Sequence, residues 1–193
     1  MLKKTKKFAL NFKILRFLLI PTILVSTTLF SNIQDVRAGL EFQWEDNDGY
    51  RRLKWFQKES KKRYRNTVYF FIRPSDRTSD LLKINLAIPK TFKSNLKNEK
   101  ISFCKVRIGG FENRTKCLED IPADFEIKTD ELGLRSLDIF PYSPIPYSKE
   151  SYAIVLKVHN PKRSGLYQFH SFGQPKWKSS SSYLGSWTIV IDN

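Results

Sequence analysis

The sequence predicts an all-β chain: a single, mostly antiparallel β-sandwich, with an immunoglobulin-like architecture among the arrangements it allows. Three observations carry this. Leu82, Ile84, Leu86 and Ile88 alternate with Lys83, Asn85 and Ala87, and Tyr152, Ile154, Leu156 and Val158 repeat the period of two. Gly, Pro or Asn bounds such runs, and no long helical stripe lies between them. Finally, 193 residues with 15 Phe and 8 Tyr suit one domain with a sizeable core rather than a disordered chain. Alternating strands must bury one face against a second sheet.

Taken in chain order, residues 1–38 read as a signal peptide. Lys3, Lys4, Lys6, Lys7, Lys13 and Arg16 precede a charge-free stretch at 17–30, and Val36-Arg37-Ala38 ends it with small residues at the two inspected positions. Cleavage is expected after Ala38. The alternative is an uncleaved anchor, although a membrane span needs about 20 apolar residues. Residues 39–66 form a basic polar lead-in with room for a short helix over 53–61. The sandwich domain is expected over 67–193, with strands at 67–73, 82–88, 101–108, 124–128, 136–140, 152–158, 166–172 and 186–192. The final strand runs almost to the end of the chain, so no sorting tail or second anchor is expected there.

Charge bounds the partners. The whole chain carries 34 Lys and Arg against 19 Asp and Glu; residues 39–193 keep 27 against 18, or +9. An extracytoplasmic location (periplasmic, cell-surface or secreted) makes nucleic acid an unsuitable partner. Anionic envelope polymers or lipid head groups fit such a chain, and a basic surface also serves simple solubility. A protein partner, met through a sheet edge or an aromatic patch, is the other class of association. Within the lead-in, Arg51, Arg52, Lys54, Lys58, Lys61, Lys62, Arg63 and Arg65 interleave with Trp55, Phe56 and Tyr64. That pattern suits an anionic surface or a solvated flexible arm.

Two cysteines exclude a disulfide-dense mini-fold and a four-thiolate zinc site. Cys104 and Cys117 flank Gly109-Gly110. If 109–112 is a four-residue loop, paired residues sum to 221 and the cysteines stand opposite one another, within disulfide reach. In an oxidising compartment the bond contributes about 3 kcal/mol. A free thiol pair, or a zinc site with His159 and His170, is the competing reading, and the spacing matches no familiar metal pattern. The same register sets Lys105 against Lys116 and Arg107 against Arg114 on the face opposite the disulfide. Such a patch either takes a counter-anion or splays into water.

Catalytic signals are weak. No H-E-x-x-H, G-x-S-x-G, C-x-x-C, Walker or G-x-G-x-x-G motif is present. An envelope hydrolase would have to rely on His159 or His170, each of which reads more simply as a strand or turn histidine. No cofactor is expected. Residues 45–49 (EDNDG) begin like a calcium loop but lack the distal glutamate, and read as a solvated acidic turn. Trp177, Tyr183 and Trp187 could stack sugars or fill the core.

The run Asn160-Pro161, Gly165, Tyr167 and Phe169, followed by Tyr183-Leu184-Gly185, resembles the signature of the secreted cyanobacterial "domain of unknown function 2808" family. The likeness extends over about 67–190. It implies an exported, β-rich envelope protein with no established catalytic residues, and it leaves the cysteine hairpin and the lead-in uninformed. Physically, Pro161 ends a strand, Gly165 permits a tight turn, Tyr167 and Phe169 share a strand face, and Gly185 releases the chain into its last strand.

Overall fold

Period-two alternation lays out ten strands in the computed structural model, which describes residues 49–110 and 113–193. They are β1 (Trp55–Gln57), β2 (Arg65–Ile72), β3 (Leu81–Ile88), β4 (Ile101–Arg107), β5 (Lys116–Asp120), β6 (Ala123–Thr129), β7 (Arg135–Pro141), β8 (Tyr152–His159), β9 (Gly165–Pro175) and β10 (Ser182–Ile191). All pair antiparallel in two five-stranded sheets, β1-β2-β8-β4-β5 and β10-β9-β3-β7-β6. The expected sandwich is therefore present. The leader 1–38 and residues 45–48 of the acidic turn lie outside the described residues.

The core follows from the alternation. Phe70 and Ile72 of β2, Ile154 and Leu156 of β8, and Phe103 of β4 face Ile84, Leu86, Leu137, Ile139, Phe169 and Trp187 of the second sheet. Burying each such side chain contributes roughly 1.5–3 kcal/mol. Trp187 stacks on Phe70 at 4.8 Å and donates its indole N–H to Phe71 O across the sheets, 3.2 Å. It is core, not a sugar platform, whereas Trp177 is 76% exposed. Phe92, on the β3–β4 connection, closes one end of the core against Tyr167 and Phe169.

The lead-in is part of the sandwich from about residue 51. Leu53 is 1% exposed, and where the sequence leaves room for a short helix over 53–61 the chain forms strand β1 at Trp55–Gln57, with Lys54 and Lys58 also bonded to the β2 backbone. Leu53, Trp55 and Gln57 turn inward while Arg52, Lys54, Phe56 and Lys58 turn outward, so the apolar period is two. Two open edges also claim this segment. Beyond its pairing with β2, Leu53 N–H donates to Ser186 O (2.8 Å), and Ser186 N–H donates to Arg51 O (2.8 Å). At the far end of β10, Asp192 N–H donates to Ser60 O and Lys62 N–H to Asp192 O. A β10 edge that would otherwise present unpaired backbone is covered this way.

Candidate functional site: a cationic groove on the outer face

The sheet containing β1 has apolar residues on its outer face as well. Tyr69, Phe71, Cys104, Val106, Ala153 and Val155 are buried there, with Ile108 and Cys117 beside them. Cys104 and Cys117 form a disulfide, Cα–Cα 5.7 Å. The hairpin register differs from the expected one. Gly110 N–H donates to Asn113 O, which centres the turn one residue later than 109–112 would. Cys117 then pairs with Val106 and Arg107 with Lys116. An irregularity at Leu118 sets Lys105 against Glu119 and Cys104 against Asp120. Moving the turn centre by one residue moves each partner by two, so the cysteines keep one face and bond diagonally.

That register dissolves the expected four-cation patch. Lys105 is ion-paired to Glu150, which raises the lysine's pKa and holds the Glu150 carboxyl below its usual range. Arg107 and Lys116 do face each other, exposed, while Arg114 precedes β5 and is paired with neither.

Arg114 joins the other basic cluster instead. The tip reaches over the outer face to β1, and two adjoining cavities of about 620 and 650 Å³ share Phe56, Gly109 and Thr115 as walls. Arg52, Lys54 and Arg73 line the first; Lys58 and Arg114 line the second. Phe71 and Ile108 add apolar wall, and Phe56, 39% exposed, lies 6.0 Å from the Tyr69 ring. Arg73 is committed to Asp76 through a forked pair at 2.8 and 3.0 Å, a hydrogen bond that raises its pKa. Arg52, Lys54, Lys58 and Arg114 make no ion pair with another described residue, and no described carboxylate lines either cavity.

Backbone chemistry holds the groove in shape. A Cβ on Gly109 would lie 2.5 Å from Thr115 N and 2.7 Å from Asn113 O, so only glycine admits this closure. Gly109 N–H donates to Thr115 Oγ1 (3.0 Å), and the disulfide ties the strands below. On the opposite wall, pairing with β2 points Arg52, Lys54, Phe56 and Lys58 to one side. Unpaired cations around an aromatic ring can bind a phosphate, sulfate or carboxylate by charge-assisted hydrogen bonds, and can pack a sugar or acyl stem on the ring. In the sequence this stripe lies inside the basic run of the lead-in, and its alternation with Leu53, Trp55 and Gln57 is the signal that marks it as one side of a strand.

The signature residues are structural. Asn160, buried, donates through Nδ2 to Glu59 O (3.1 Å) and Lys61 O (2.8 Å) and accepts from Asn66 Nδ2 (2.9 Å). It thereby fastens the β1–β2 turn beneath Pro161. Gly165 (φ +146°) and Gly185 (φ +144°) hold conformations that favour glycine, and a Cβ on Gly185 would meet Leu53 at 2.7 Å and Arg51 O at 2.8 Å. Tyr167 donates to Arg163 O (2.6 Å), Phe169 is core, and Leu184 is buried. Tyr183 OH and His170 Nδ1 both meet Ser186 Oγ, at 2.6 and 2.7 Å, and burial lowers the His170 pKa. Ser186 is fully buried with its backbone bonded on both sides, an arrangement that holds β10 in place. His159 is exposed at the end of β8, and its carbonyl accepts from Ser94 Oγ. Among the described residues no His, Cys, Asp or Glu cluster could hold a metal, and no helix is long and apolar enough to cross a membrane.

Comparison with known structures gives distant likenesses. The bacterial hydrophobin BslA aligns at 11% identity and TM-score 0.44, over 74% of this chain and 95% of that one. A collagen-binding domain from a Staphylococcus aureus adhesin gives 15% and 0.36, over 67% and 88%. The collagen-binding subdomain ACE19 of the Enterococcus faecalis surface protein ACE gives 9% and 0.41, over 75% and 98%. No curated protein matches the sequence. A family profile described as "Protein of unknown function (DUF2808)" matches residues 46–191, which takes in both the basic β1 segment and the cysteine hairpin left outside the recognised signature. The chain belongs to this DUF2808 family.

Proposed function

We propose that this is an exported, non-catalytic β-sandwich protein of the cell envelope that holds an anionic envelope component in the groove between β1 and the hairpin tip. The observation that carries the reading is the convergence of Arg52, Lys54, Lys58 and Arg114, without ion-pair partners among the described residues, around Phe56. Like charges brought together by the fold destabilise it by tenths of a kcal/mol each, so an anion bound there relieves a strain the chain retains. The Cys104–Cys117 disulfide supports an oxidising, extracytoplasmic location, and the residue pattern of 1–38 supports export. His170 and Ser186 serve strand packing rather than hydrolysis in this reading.

The test is sedimentation of the purified protein, disulfide intact, with isolated envelope fractions across a salt series. Binding should fade as ionic strength rises and fall at least tenfold at low salt in Lys54→Glu/Lys58→Glu. Salt-resistant binding that the double variant retains would contradict the groove reading and favour a protein partner met through an apolar contact.

A further inference from the structure

A cationic cavity separate from the two in the groove lies at the other end of the sandwich, where the β3–β4 connection meets the β8–β9 turn. It measures about 530 Å³ and is lined by Lys90, Thr91, Lys93, Pro161, Lys162 and Arg163. Four of these six side chains are cations, none ion-paired to another described residue, and no described carboxylate lines the cavity. We infer that this cavity is a binding site for a tetrahedral oxyanion group, phosphate or sulfate, separate from the groove.

Rigidity of the two walls carries the inference beyond a count of lysines. On one wall Phe92 is buried in the core and Ser94 Oγ donates to His159 O (2.6 Å). Arg135 crosses beneath, donating to Ser94 O (2.9 Å) and to Phe92 O. Lys93 therefore leaves from a backbone fixed on both sides, and Phe92 N–H, donating to Pro89 O (2.8 Å), closes the turn that carries Lys90 and Thr91. The facing wall is fixed by the buried Asn160, by Pro161, and by Tyr167 Oη, which donates to Arg163 O (2.6 Å). Phe92 and Tyr167 meet edge to face at 5.4 Å, which sets the distance between the walls. Flexible loops would let like charges drift apart; these walls hold the bases of four cations around one opening. With the backbone bases fixed, an oxyanion bound between them has only the side chains left to order, and it gains charge-assisted hydrogen bonds from several cations and a hydroxyl.

Thermal melting of the purified protein in pyrophosphate, inorganic phosphate or sulfate, against sodium chloride of equal ionic strength, tests this. At about tenfold excess over Kd the oxyanion should raise Tm by about 3–5 °C for a chain of this size. The groove variant Lys54→Glu/Lys58→Glu should keep that rise, and Lys93→Gln/Lys162→Gln/Arg163→Gln should lose it. The substituted side chains are exposed, so in chloride the triple variant should melt no lower than the parent, because repulsion has been removed. A larger rise in phosphate and pyrophosphate than in sulfate assigns a phosphoryl group, and the reverse a sulfate ester. A rise that chloride reproduces, or that the triple variant retains, overturns the site. Loss of the rise in the groove variant alone would assign the anion to the groove and overturn it equally.

Discussion

Asp138 shows how single residues are held at the edge of what burial permits. Its carboxylate is almost fully buried on β7, and burial alone would raise its pKa. Asn85 Nδ2 (2.7 Å), Lys83 Nζ and Lys128 Nζ (both 2.9 Å) outweigh that, and the net shift is downward from 3.8. A depressed carboxylate contributes stability at neutral pH that is lost as pH falls from the unfolded value near 3.8 through the lower native one. Asp138→Asn should therefore cost about 1–3 kcal/mol at pH 7 and flatten the acid limb of the stability curve, read by urea unfolding at several pH values. Gly185 is the second residue of this kind. Its φ of +144° and the 2.7 Å approach of Leu53 make Gly185→Ala a strained and crowded change. A loss of at least about 1–3 kcal/mol is expected, measured by thermal melting. Sequence sets this glycine just ahead of a last strand at 186–192, whereas β10 begins at Ser182 and takes it in. Its crowding by Leu53 is not legible in sequence, because that contact joins residues more than a hundred positions apart.

At the scale of elements, alternation was the readable signal wherever a strand buries one face. The eight expected strands are all present: most alternate apolar and polar residues, whereas residues 67–72 are a continuous aromatic and β-branched run buried on both faces. β1 escaped because only Leu53 and Trp55 mark its inward side, and its outward side is dominated by lysine and arginine. The hairpin shows the other limit. Gly109-Gly110 announced a turn correctly, yet the turn centre depends on which backbone groups close it, and a one-residue displacement rearranged every charge pair. The disulfide was legible all the same, since that displacement preserves the face. Cys104→Ala/Cys117→Ala should lower stability by about 2–4 kcal/mol in urea unfolding. It should also loosen the tip that forms one wall of the groove, so envelope binding should weaken even at a temperature where the variant is fully folded.

The whole molecule distributes its charge by topology. The outer groove draws on β1 and on the β4–β5 tip, which stand on opposite sides of β2 and β8 in the sheet order. The cavity at the other end draws on two connections, β3–β4 and β8–β9. Neither grouping follows from sequence distance, so the chain's basic character was readable while its assembly into two places was not. Amide-resolved NMR titration of the purified protein with a soluble anionic polymer from the envelope would read anion binding at the groove residue by residue. Shifts concentrated at residues 52–58 and 109–115, and reversed by added salt, are the predicted result. Shifts confined to the β5 and β6 edges, or spread evenly over every exposed lysine, would contradict it.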